Sequence, residues 1–71
     1  MGERSLEESL RKALLEIIEL ELILKFGASA VGVIFRVREI KDVKRLRALK
    51  DSIPRFRTLE EVEKTVRGLS S

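Results

Sequence analysis

From Leu14 to Phe26 the chain places nine apolar residues among thirteen, interrupted only by Glu16, Glu19, Glu21 and Lys25. Read as a helix, Ile17, Ile18, Leu20, Leu22, Ile23, Leu24 and Phe26 point around more than one face. A helix that is apolar nearly all round has to be covered nearly all round. The remaining segments with apolar periodicity are short, of roughly ten residues each, and a chain of 71 residues buries only about 60% of its unfolded surface. Burial returns about 25 cal/mol per Å², so a few hundred Å² left uncovered is comparable to the whole stability of so small a domain. The pattern predicts association with a second copy, most simply a two-fold dimer in which the first helices pair, or a higher homo-oligomer.

Inventory narrows the chemistry. The chain has no Cys and no His, so it lacks a disulfide framework, a thiolate metal site and the usual general base. An active site would have to use carboxylates or Lys in a pocket that this chain is too small to enclose. The expectation is a non-enzyme with no cofactor, no metal and no small-molecule substrate. A membrane span needs about 20 nearly uncharged residues, which the Leu14–Phe26 run does not provide, and Met1–Leu10 lacks the basic and apolar regions of a signal peptide. A soluble, cytoplasmic protein is expected.

Charge is unevenly placed. Residues 1–35 carry a net −2, residues 36–57 a net +6 and residues 58–71 a net −1. The plainer reading of the central block is a solvated helix face that also pairs with acidic helices. The sharper one is a phosphate-binding stripe built from Arg36, Arg38, Lys44, Arg45, Arg47 and Lys50. Phe56 is the only aromatic residue within the basic run, whereas base stacking generally uses several.

Ser5-Leu6-Glu7-Glu8 reads as a capping box opening a first helix over 6–26, with Lys25 in its last turn and Gly27 as the left-handed residue ending it. Residues 18–38 carry a second pattern. Ile18, Leu20, Leu22, Leu24 and Phe26 alternate, as do Val31, Val33, Phe35 and Val37, which alone would read as a β-hairpin. The helical alternative is a short helix from Ala30 to Ile40, capped by Ser29, with Ala30, Val33, Val37 and Ile40 on one face. Asp42 caps a helix over 43–52, and Pro54 marks its end. Thr58-Leu59-Glu60-Glu61 is a second capping box, followed by an apolar stripe of Leu59, Val62, Val66 and Leu69. Gly68 marks the close, and Leu69-Ser70-Ser71 reads as a frayed tail.

The order of these segments is similar to a known one. A Leu/Glu-rich helix ends in Lys25-Phe26-Gly27. Next come Val37-Arg38-Glu39-Ile40-Lys41-Asp42-Val43, then Arg45-Leu46-Arg47-Ala48-Leu49 with Ile53, and finally Thr58-Leu59-Glu60-Glu61-Val62. Over about residues 14–66 this resembles the C-terminal helical segment of Rpn-type transposases, of the PD-(D/E)XK nuclease-like family. The resemblance implies helices throughout and favours the helix over the hairpin at 18–38. It also implies that the metal-binding nuclease core, with its Asp and (D/E)-x-Lys set, lies upstream and is not part of this chain. Glu39-Ile40-Lys41 and Asp42-Val43-Lys44 match the (D/E)-x-Lys pattern formally, but such triplets arise by chance in a sequence this rich in charge. The run Val33-Ile34-Phe35 departs from the polar character expected there, which implies either burial by another chain or a different local structure.

The fold expected is therefore all-α, a single domain over 1–71. It has one long N-terminal helix and three shorter ones in an oligomeric bundle, with an α+β fold carrying a hairpin at 18–38 as the alternative. The function expected first is a non-catalytic self-association module using Leu14, Ile17, Ile18, Leu22, Leu24, Phe26, Val33 and Phe35. The others are a nucleic-acid accessory domain and an engineered sequence without a biological task, the last disfavoured by the unidealised Phe26-Gly27 end and Val31-Gly32-Val33 segment.

Overall fold

The computed structural model describes residues 3–70. Four α-helices follow one another: α1 (Glu3–Phe26), α2 (Val31–Val37), α3 (Val43–Ser52) and α4 (Leu59–Ser70). Single 3₁₀ turns over Gly27–Ala30 and Ile53–Arg55 join α1 to α2 and follow α3. No strand is present among the described residues, so the all-α reading holds and the hairpin at 18–38 does not form. Leu and Glu are strong helix formers, and α1 runs through the whole alternating segment. The β-branched α2 is a weaker helix intrinsically. It is held by packing, because Ala30, Val33, Val37 and Ile40, the face expected for it, are all buried.

Boundaries follow local chemistry, with corrections. α1 begins at Glu3, so Ser5 lies within the helix rather than ahead of it. α1 stops where Gly27 turns to φ 71°, a left-handed conformation open to Gly at little steric cost. Ser29 does not cap α2; Ala30 stands at that position and offers no side-chain hydrogen bond. Asp42 is the cap of α3, its carboxylate accepting from the Lys44 amide at 2.8 Å. At the head of α4 the capping box closes both ways. The Thr58 amide donates to Glu61 Oε1 at 3.2 Å, and the Glu61 amide donates to Thr58 Oγ1 at 3.4 Å. Gly68 does not end α4, which continues to Ser70. Leu69 is no frayed tail: it packs on the core, and its carbonyl accepts from Arg45 at 2.8 Å. Ser71 lies outside the described residues.

The core is one apolar cluster drawn from every helix, centred on Ile18, Leu22, Leu46, Leu49, Val62 and Val66. It contains no buried polar or charged residue among those described. α1 packs along α3 on one flank and along α2 on the other, and α4 closes the far side against α2 and α3. Two cations on α1 fasten the connections. Arg11 donates to the carbonyls of Arg38 (2.8 Å) and Ile40 (3.2 Å), while Lys25 donates to those of Ile53 (2.9 Å) and Pro54 (3.1 Å). Lys25 therefore satisfies carbonyls at the end of α3 in addition to sitting in the last turn of its own helix.

Two glycines should respond oppositely to alanine. At Gly32, inside α2, an added Cβ meets nothing within 4 Å, so Gly32→Ala should raise stability by about 0.5–1 kcal/mol through helix propensity. Gly27 has equal room but a positive φ, so Gly27→Ala should lower stability by about 1–2 kcal/mol. Chemical denaturation of both variants at one fixed protein concentration checks the pair.

Candidate association surface

Because α2, α3 and α4 lie on one side of α1, only one face of that helix is enclosed. Leu14, Leu15, Ile18 and Leu22 point inward and are buried. A second apolar series runs down the opposite side: Leu6, Leu10, Ala13, Ile17, Leu20 and Leu24, spaced alternately by four and three residues. That alternation keeps side chains on one helical stripe. All six are exposed, Leu6 by 75%, Leu20 by 59% and Leu24 by 76%. Ile23, Val31 and Phe35 add further exposed apolar surface, Phe35 at 62%. Full burial of one Leu, Ile or Phe is worth about 1.5–3 kcal/mol, so this surface represents several kcal/mol left unclaimed.

Of the eight residues expected to mediate self-association, Leu14, Ile18, Leu22 and Val33 are buried in the chain's own core, and Phe26 is half-buried against it. These five are corrected to core residues, because α2 and α3 fold back along α1 and cover them. Ile17, Leu24 and Phe35 are exposed. The run Val33-Ile34-Phe35 divides the same way: the first two enter the core, and only Phe35 faces outward. Leu6, Leu10, Ala13 and Leu20 complete the stripe and were not in the expected set. The strict four-three alternation, offset from the core-facing series, is the signal that singles them out.

The flanks of the stripe are charged. On the α3 side Leu6, Glu7 and Leu10 of α1, with Asp42, Val43, Lys44 and Arg47, line an open groove of about 520 Å³. On the α2 side Glu19 receives both Arg38 Nη2 (2.9 Å, to Oε1) and Arg38 Nε (3.1 Å, to Oε2). The same guanidinium lies 5.6 Å from the centre of the Phe35 ring. The hydrogen bond from Arg38 holds the Glu19 carboxyl below its usual range; burial opposes it, and the guanidinium's positive charge adds a smaller lowering.

The six basic residues considered for phosphate binding are not gathered. Arg38 is engaged with Glu19, and Arg45 with the Leu69 carbonyl and, at 3.9 Å, with Asp42. Lys44 and Arg47 share the groove beside α1, Lys50 is half-buried and Arg36 is exposed on α2. Phe56 is buried and has no face for a base to stack on. Of the two (D/E)-x-Lys triplets, Glu39 and Lys41 are exposed around the buried Ile40, and Asp42 is the helix cap. Among the described residues no three acidic side chains are grouped so as to hold a metal ion, and no helix is long and apolar enough to cross a membrane.

No known protein family, curated protein or solved structure matches this chain.

The Glu19–Arg38 pair makes a pH-dependent contribution. A carboxyl held below its ordinary range stabilises the fold above that range, and the contribution is lost as pH falls through the lowered value. Glu19→Gln should therefore melt slightly below the parent chain at neutral pH, with the gap closing in acid. The pair is partly exposed, so the gap should be small and shrink with added salt. Melting curves across pH at low and high ionic strength test this.

Proposed function

We propose that this chain is a non-catalytic helical module whose task is to associate with copies of itself through the outer stripe of α1, akin to a C-terminal segment of a transposase-like protein. The observation that carries the reading is the second apolar series on α1. Monomeric soluble proteins expose single apolar residues routinely, but a continuous ordered stripe marks a surface that meets another surface. Six side chains at alternating four- and three-residue steps form the seam used when helices pack side by side. The stripe is laid along the longest helix, braced from behind by the whole core. Such backing keeps the seam straight and lowers the entropy lost on docking.

A nucleic-acid role for the basic block would draw on six cations of which two, Arg38 and Arg45, already hold intramolecular partners. Salt separates the two readings: phosphate binding weakens steeply as salt rises, whereas apolar self-association does not.

Sedimentation equilibrium at micromolar concentration should return at least a dimer. Ile17→Glu and Leu20→Glu should each shift it to monomer while leaving the helical circular dichroism signal intact, because both residues lie outside the core. A parent chain that sediments as a monomer throughout the micromolar range overturns the reading.

A further inference from the structure

We propose that the second copy docks with its α1 antiparallel, its Leu20 and Leu24 covering the groove between α1 and α3 while its Glu21 meets Lys44 and Arg47 there. This inference rests on the self-association reading and specifies its geometry.

Side-chain volume is the first argument. Read from either end, the stripe has the same four-three spacing. An antiparallel two-fold sets Leu6 against the second copy's Leu24, Leu10 against Leu20, and Ala13 against Ile17. Each layer then holds at least one large side chain, and the small Ala13 receives the branched Ile17. A parallel pairing sets Ala13 against Ala13 and leaves a void between two crowded layers, which close packing disfavours.

Charge placement is the second. α3 borders one flank of the stripe, as the groove beside Leu6, Glu7 and Leu10 shows at one end and the Lys25 bonds to Ile53 and Pro54 at the other. α2 borders the opposite flank, where Glu19 holds Arg38. By helical spacing Glu7 and Glu21 lie on the α3 flank, and Lys12 and Glu16 on the α2 flank. An antiparallel two-fold brings like flanks together. The second copy's Glu21 then arrives at the Leu6–Leu10 end of the α3 flank, where Lys44 and Arg47 stand beside Glu7 and Asp42. On the other flank Lys12 meets the second copy's Glu16. A parallel two-fold brings unlike flanks together, setting Lys44 and Arg47 against the second copy's Lys12 and Glu21 against its Glu16. Like charges meet in both arrangements, since the antiparallel one also sets Glu21 near the second copy's Glu7 and Glu16 near its own counterpart. What separates the two is that only the antiparallel pair brings a carboxylate, and the parallel pair a lysine, to Lys44 and Arg47.

The absence of native cysteine makes disulfide trapping a direct test. Chains carrying Leu10→Cys and Leu20→Cys should form little disulfide when oxidised separately and a mixed disulfide when oxidised together. In the antiparallel pair residue 10 faces residue 20 of the other copy and lies about 15 Å along the axis from its own counterpart, beyond disulfide reach. A second arm reverses charge: Lys44→Glu combined with Arg47→Glu should weaken dimerisation by about tenfold or more. In a parallel pair the same change would strengthen it, through Lys12. Homodisulfides from Leu10→Cys alone, or tighter dimers on charge reversal, overturn the antiparallel geometry while leaving self-association standing. A dimer by sedimentation that gives no trapped product overturns the α1 seam. A parent chain that is monomeric in the same sedimentation runs overturns the self-association reading itself.

Discussion

The structure turns on one helix having two apolar sides. Along α1 the inward series through Leu14, Ile18 and Leu22 builds the core, and the outward series through Leu6, Ile17 and Leu24 is left in water. The three shorter helices are just enough to roof one side. Their combined length, from Val31 to Ser70 with its connections, goes into covering α2–α4 as much as α1, and none is left over to wrap the back. Most of the apolar excess thus lies along the longest helix, with Val31 and Phe35 of α2 adding to it.

Much of this was legible from the residues alone. The Asp42 cap, the Thr58–Glu61 box, the Gly27 turn and the α2 face of Ala30, Val33, Val37 and Ile40 are local chemistry, and each stands where spacing places it. The excess of apolar surface was also legible, since it is a matter of counting. Which residues make up that excess was not. Leu14, Ile18 and Leu22 differ from Leu6, Leu20 and Leu24 in nothing but the side of the helix they occupy, and the choice of side is made by where α2 and α3 return. That depends on contacts such as Arg38 with Glu19 and Lys25 with Ile53, 19 and 28 residues apart. The β-alternation at 18–38, which offered the hairpin as the alternative, has a related origin. A helix apolar on two sides places apolar residues so densely that some of them alternate by twos.

Polar contacts in this fold act at its seams and not in its interior. With a core free of buried polar or charged residues among those described, the hydrophobic driving force itself is non-directional. Arg11 and Lys25 supply the direction. Their positions on α1 are 14 residues apart, four turns to a close approximation, and each reaches the carbonyls of one interhelical connection. Register between α1 and the rest is set at two points along its length, and the hydrocarbon between them fills in.

The left-handed Gly27 has a consequence beyond ending a helix. It halts α1 three residues after Leu24, and the chain doubles back through the turn at Gly27–Ala30. The outward series thereby ends at Leu24, about 27 Å along the axis from Leu6. A strip of that size admits few interlocking tiers. Carrying the strip beyond Leu24 would require the reversal itself to move.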